Sequence, residues 1–397
     1  MRVPAQHRFR AVLAASAFMG LGVLMSAPAG ATDPATGSSD PLESVNRVTS
    51  EFNAILRKGF LDPLVACIAE EDVWAVVPRI LLGGREDKVE SWAFLRESNG
   101  LIELHQPALN MLPDGSTLRL GPVHLTVADL DGAIGFYERS LGLQVHGRGG
   151  DTAALGAGAE DLVVLHEEPG AAGGGRHAGL YHFALLFHSR EELARAVVRL
   201  AETRTRIEGA ADHGVSEAIY LRDPDDNGIE IYADRPRDDW PAARTPGERF
   251  EMYTIALDMK SLLSTVAGEP PQERAGTGLR MGHVHLHVAD VGRALGFYRD
   301  VLGFEVMVNL GSAAFVSAGG YHHHLAFNVW LGKDVKPRPD GTAGLRHWVI
   351  VLERPEEVEA VRERVRAAGL PLEERDGGFL VRDPWDTAVV VATTPNA

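Results

Sequence analysis

Three residues of types that bind a redox metal stand in the middle of strand-like runs. They are His124 in GPVHLTV, His182 in GLYHFALL and Glu230 in NGIEIYA. Two imidazoles and one carboxylate can occupy one face of an octahedral ion and leave the other face open. That arrangement suits Fe(II), which must take a substrate and O2 side by side. The three are far apart in the chain, so only a fold that brings their strands together makes them a site. Tyr220 lies ten residues before Glu230; an even spacing along near-continuous strands puts both on one face. His166 ends the run DLVVLH, and an imidazole that titrates near neutrality can take a proton from a substrate hydroxyl and return it. His213, in ADHGVSEAIY, is a further candidate beside them.

The elements that would position these residues repeat along the chain. Residues 121–145 (GPVHLTVADLDGAIGFYERSLGLQV) align without gaps on 282–306 (GHVHLHVADVGRALGFYRDVLGFEV), with 14 of 25 positions identical. GLYHFALLFHSREELARAVVRLAE (179–202) parallels GLRHWVIVLERPEEVEAVRERVRA (344–367), and LRDPDDNGIEIY (221–232) parallels VRDPWDTAVVVA (381–392). One structural unit is therefore used twice. Within each copy the grammar doubles again: a strand bearing a histidine, a helix, then short strands. The helices are expected at Asp129 to Leu141 and Ser189 to Ala201, and Asp226-Asn227-Gly228 marks a tight turn between two strands. A strand-helix-strand-strand-strand unit used twice curls a sheet into an open, barrel-like cup.

The second copy offers an internal control. His285 and His347 align with His124 and His182, but Val390 stands where Glu230 does. The C-terminal copy thus has no complete triad; it is expected to supply packing and a wall of the pocket. The run Tyr321-His322-His323-His324 invites a metal reading. Adjacent strand residues point to opposite faces, so at most two of them share a site. With no carboxylate partner evident, a structural or pocket-edge role is expected.

Size and charge bound the rest. The chain has 397 residues, 45% of them hydrophobic and 24% charged, which is the composition of a globular protein of two or three domains. A formal net charge of −16 argues against non-specific binding to nucleic acid or anionic membrane. The single cysteine, Cys67, excludes an intrachain disulfide, so a metal must rely on histidine and carboxylate. Arg2, Arg8 and Arg10, the apolar run Ala11 to Met25 and Ala29-Gly30-Ala31 form the pattern of a secretory signal peptide over residues 1–31. A periplasmic or secreted protein with no membrane span after cleavage is expected, or a cytoplasmic one if that segment is no signal. Residues 32–108 read as a linker followed by a short helical segment. Within it Asp40, Pro41, Leu42, Glu43, Asn46, Arg47, Phe52 and Asn53 resemble the opening of the MlaA/VacJ family. The resemblance stops near Leu64.

From about residue 109 to 394 the chain resembles the vicinal oxygen chelate superfamily. The His-bearing strands, the helix with GFY and LG, and the closing strand DPDDNGIEIY carry the resemblance. DHGVSEAIYLRDPDDNGIEIYADRP and FVSAGGYHHHLAFNVW further resemble its CatE-like catechol 2,3-dioxygenases. The resemblance implies an α+β protein with two tandem domains of paired βαβββ units, residues 109–235 and 281–397, joined by a linker at 236–280. It implies a metal at His124, His182 and Glu230, held in the N-terminal domain alone. Fe(II) is the first choice, with Mn(II), Zn(II) or Ni(II) as alternatives. It places Tyr220 on the oxygen of the bound substrate and His166 as acid and base, with His213 behind them. The implied reaction is extradiol cleavage of a small aromatic diol by O2, part of aromatic compound catabolism, in a chain that can form a homo-oligomer. Two other chemistries belong to the superfamily. A glyoxalase-type isomerase needs a fourth ligand, for which Glu167 would serve only in a shifted register. A sequestering protein of the antibiotic-resistance kind binds a small molecule without turnover.

Overall fold

The computed structural model describes residues 118–173, 175–243 and 249–395, and before them the strands of one small sheet. Those strands are β1 (Ala75–Pro78), β2 (Trp92–Ser98) and β3 (Leu101–His105), in the order β1-β2-β3. The segment expected to be helical therefore contributes strands where it is described. A missed signal lies between β2 and β3: Asn99-Gly100 is the dipeptide that favours a two-residue hairpin. The signal-peptide pattern and the MlaA-like stretch lie outside the described residues.

From Leu118 onward the chain is built of four βαβββ modules. The first comprises β4 (Leu118–Val127), a helix over Leu130–Leu141, β5 (Gln144–Gly149), β6 (Thr152–Ala157) and β7 (Glu160–Glu167). The second comprises β8 (Gly179–Phe187), a helix over Arg190–Glu202, β9 (Ile207–Asp212), β10 (Ser216–Arg222) and β11 (Gly228–Asp234). The short β12 (Ile255–Ala256) and a helix over Met259–Ser264 occupy the linker. The third has β13 (Arg280–His287), a helix over Val291–Tyr298, β14 (Glu305–Asn309), β15 (Ala313–Ser317) and β16 (Leu325–Asn328). The fourth has β17 (Gly344–Leu352), a helix over Pro355–Ala367, β18 (Leu372–Arg375), β19 (Gly378–Arg382) and β20 (Ala388–Ala392). The repeated Ala-Asp dipeptide explains where two of these helices begin. Asp129 accepts a hydrogen bond from Gly132 N and Asp290 from Arg293 N, each satisfying an otherwise orphaned donor of the first turn. The first helix ends at Gly142 in the left-handed region (φ 71°), which glycine enters without cost. None of the described helices is long and apolar enough to cross a membrane.

The modules do not pair in the order of the sequence. One sheet runs β12-β9-β10-β11-β8-β13-β16-β15-β14, so it joins the second module to the third. The other runs β18-β19-β20-β17-β4-β7-β6-β5 and joins the first module to the fourth. The seams are antiparallel: β8 lies against β13 and β17 against β4. Each cup therefore draws one half from each of the expected tandem domains 109–235 and 281–397. The repeat lengths were legible; the partner of each module is a non-local property that periodicity does not encode.

A second set of bonds follows the sequence order instead. Tyr137, from the first module, donates to Asp223 Oδ2 of the second at 2.8 Å. Tyr298, from the third, donates to Asp383 Oδ2 of the fourth at 2.9 Å. These are the tyrosine of GFY and the aspartate of RDP in each repeat. All four side chains are buried, and burial pushes the Asp223 carboxyl up to about 6. Sheets thus link modules 1 with 4 and 2 with 3, while Tyr–Asp bonds link 1 with 2 and 3 with 4. Tyr137→Phe leaves a buried carboxylate short of one donor. Urea unfolding of that variant is expected to show a loss of about 1–3 kcal/mol, and an unchanged midpoint would refute a structural role for this bond.

Candidate metal centre

The seam of the second and third modules gathers the polar side chains. In the β8–β13 ladder His182 lies opposite His285 and Ala184 opposite His283; in the β8–β11 ladder Ala184 lies opposite Glu230. A cross-strand row therefore runs Glu230, Ala184, His283. The small Ala184 leaves the space between the carboxylate and the imidazole unfilled, and His182 reaches in from the neighbouring pleat. His182 Nε2 is 3.1 Å and His283 Nε2 3.2 Å from Glu230 Oε2. One ligand atom from each of the three lies within 4.8 Å of the other two. All three residues are buried.

This donor set fits a divalent metal on its own chemistry. The approach of His182 Nε2 to Glu230 is not aligned as a hydrogen bond, so that nitrogen is a buried polar atom without a hydrogen-bonding partner, a costly state unless a cation fills it. Burial holds His182 below the usual histidine range, hence neutral and able to offer a lone pair. Burial would raise Glu230, but His283 and His182 outweigh it and keep the carboxyl well below the carboxylate range. A neutral His182 and an ionised Glu230 are the states that bind a metal.

His124 is not at this centre. It lies on β4 in the other sheet, opposite His347 of β17. The gapless repeat alignment equates His124 with His285, two residues beyond His283, whose counterpart in the first module is Pro122. In the β17–β20 ladder Val349 and Val390 are partners, where the seam of the second and third modules has Ala184 and Glu230. A metal was expected in the N-terminal domain alone; the candidate cluster draws two residues from the second module and one from the third. A sequence signal did exist. In GHVHLH the histidines at 283, 285 and 287 alternate, which places all three on one face of β13.

His166 also lies in the other sheet. Its Nε2 is 3.0 Å from His124 Nδ1, and the His124 and His347 rings stack with centroids 3.9 Å apart. Burial, then the neighbouring imidazoles and Arg346, lowers His124 to about 2, and burial foremost lowers His347 to about 4. Glu167 is equally remote, accepting from Leu130 N at 3.0 Å. It is no fourth ligand, and Glu230 is the sole carboxylate among the described residues of the ligand cluster.

Tyr220 and His213 line the same cavity as His182 and Glu230. Tyr220 lies directly across from Glu230 in the β10–β11 ladder. Its hydroxyl is 2.8 Å from His213 Nε2, while His213 Nδ1 is 3.0 Å from the Tyr253 carbonyl. The carbonyl takes the Nδ1 proton, so Nε2 is the acceptor and Tyr220 donates to it. Burial, and then the charge of Glu230, raises Tyr220 well above the ordinary tyrosine range, so the phenol stays protonated.

The triple histidine is not a strand. Residues 321–324 precede β16, so the opposite-face rule does not apply to them. The His323 ring lies 4.0 Å from that of His283 and lines the cavity in front of the triad. His322 Nε2 is 2.8 Å from Asp234 Oδ1, and its Nδ1 is 2.8 Å from His323 Nδ1. The missing carboxylate partner is thus Asp234, at the end of β11. Asp234 fixes the His322 proton on Nε2, so His322 Nδ1 accepts from His323 Nδ1 and leaves His323 Nε2 a free base. Burial, reinforced by the surrounding imidazoles, keeps His323 neutral. His324 is turned away, bonded to Ser317 Oγ at 3.1 Å. Beside the triad, His285 Nε2 accepts from the Asn328 amide at 2.9 Å.

The cavity measures about 310 Å³. It has a polar floor of His182, Glu230, Tyr220, His213, His285 and His323. Its walls include Tyr181, Phe315, Met252 and Trp330.

Four βαβββ modules with a buried His-Glu-His cluster at the seam of two of them define a family of proteins, and the chain belongs to it. Residues 119–231 and 280–395 match the Glyoxalase/Bleomycin resistance protein/Dioxygenase superfamily. Over 276 residues the chain is 42% identical to the catechol-2,3-dioxygenase of Bacillus subtilis (strain 168), covering 68% of this chain and 95% of that protein. The solved glyoxalase I of Zea mays superimposes with a TM-score of 0.45 at 17% identity, over 70% of this chain and 92% of that one.

Proposed function

We propose that this protein is an extradiol dioxygenase that opens a catecholic ring with O2 at an Fe(II) held by His182, Glu230 and His283. The observation that carries the reading is the buried cluster of two imidazoles and one carboxylate beside a cavity with aromatic walls. Similarity to a catechol-2,3-dioxygenase over 276 residues supports it. In the reaction the ring C–C bond beside the diol breaks, and both oxygen atoms of O2 enter the ring-opened product.

A bound Fe(II) would supply the redox chemistry that lets a closed-shell ring react with O2. The protein's own groups do the rest. His323 Nε2 takes the proton of one substrate hydroxyl and returns it later in the cycle. Tyr220, with its own proton given to His213, accepts a hydrogen bond from the other hydroxyl and orients the ring. The aromatic walls and the burial of the triad exclude water. A glyoxalase-type reaction finds no support at this seam, because Glu167 lies in the other sheet.

The test is anaerobic purification, metal analysis and oxygen uptake on a panel of catechols. About one Fe(II) per chain and uptake equimolar with ring opening are expected, with both lost in Glu230→Ala. Protein loaded with Fe(II) that consumes no oxygen with any catechol would end this reading. Ligand binding without turnover in that assay would instead favour a sequestering protein.

A further inference from the structure

The cavity joins polar groups to a set of large apolar ones. It is lined by His182 and Glu230 of the triad with Tyr220, His213, His285 and His323, and also by Val308, Leu310, Phe315, Met252, Tyr253 and Trp330. Three of these stand open to solvent: Leu310 at 61%, Trp330 at 53% and Tyr253 at 37% exposure. Among the described residues only three other large hydrophobics are so exposed, namely Val145, Ile207 and Ile255. Half of the exposed large apolar side chains thus ring one mouth, and such clustering marks a binding surface where scattered single residues do not.

Charge is one-sided. No lysine or arginine is among the described residues that line the cavity, and its one carboxylate is Glu230. Arg222 acts on the nearby Tyr181 and His182 only at a distance. It is held by Glu208 at 2.9 Å and lines a different cavity. An anionic ring substituent entering here would lose its hydration against aromatic and aliphatic walls with no cation to replace it. An apolar substituent would cover those walls instead.

Resting on the ring-cleavage reading, we infer that the substrate is a catechol with an uncharged, apolar alkyl or aryl substituent, which lies against Phe315 and leaves the cavity between Leu310 and Trp330. Carboxylated catechols are excluded by the same wall.

The test uses the Fe(II)-loaded full chain. kcat/KM from oxygen uptake is compared for catechol, a series of 4-alkylcatechols, 3-phenylcatechol and 3,4-dihydroxyphenylacetate. Anaerobic calorimetry gives the binding order of the same compounds. A gain of about tenfold or more over catechol is expected for the longer alkyl and aryl compounds, with the carboxylated compound weakest. Leu310→Arg should shift the ratio of carboxylated to apolar substrate by at least about tenfold, and Trp330→Gln should reduce the gain from the aryl group. Both side chains are largely exposed, so circular dichroism should show the native fold. Equal efficiency for the carboxylated compound, or no gain from apolar substituents, would overturn the inference while oxygen uptake with catechol upheld ring cleavage. If no catechol is turned over, ring cleavage fails, and the anaerobic binding order still decides the substituent preference.

Discussion

His283→Ala is expected to strip the protein of its metal and of all oxygen uptake, whereas His124→Ala is expected to keep both. His283 is one of three ligand atoms at a single point between β8, β11 and β13. Removing it leaves one imidazole and one carboxylate, too few to hold a divalent ion against water. Loss of a group that merely supports a ligand typically costs about 10–100-fold in metal affinity, so loss of the ligand itself should cost more than about 100-fold. His124 lies in the other sheet against His166 and His347, so its loss should be felt in stability alone. Metal content after anaerobic dialysis, read beside circular dichroism, decides between the two histidines. A folded His283→Ala protein that retains its iron, or a His124→Ala protein that loses it, would show the centre to be misplaced.

The second large effect belongs to His323. His323→Ala should leave iron content intact and lower turnover by on the order of 10²–10⁴-fold, the usual weight of an acid–base group. Asp234→Asn should lower turnover by a smaller factor. It frees His322 from its fixed tautomer, so that the proton on His323 is no longer pinned to Nδ1. His166→Ala should change neither iron nor turnover. Single-turnover rates separate these outcomes from slow product release. Unimpaired turnover in a folded His323→Ala protein would leave the reaction without its base and force a different assignment.

Much of this was legible in the residues. The doubled repeat and the helix-starting aspartates follow from periodicity and capping chemistry. These are local properties, or properties of one module. What was not legible is which module meets which. Internal alignment compares equivalent positions and so matches His124 with His285, yet the histidine in the cluster is His283, a position the first module fills with Pro122. Strand pairing across a long separation leaves no periodic trace in either strand. The histidine run meets its pocket-edge expectation at His323, but its carboxylate partner was hidden. Face alternation holds only within a strand, and residues 321–324 stop short of β16. Its carboxylate partner, Asp234, is some 90 residues away and adjacent only once the sheet has formed.

The crossed pairing of modules also sets an order of events during synthesis. β4 emerges early, but its seam partner β17 begins at Gly344, more than 200 residues later. β8 must likewise wait for β13. Until those strands arrive, the first half of the chain carries two unpaired strand edges that are apolar on the buried face, the kind of surface that recruits other chains. Folding is therefore dominated by distant contacts and should be slow. Neither half of the chain can be expected to mature alone: cut within the linker, the protein would give two fragments that gain a core, and a metal centre, only by finding each other.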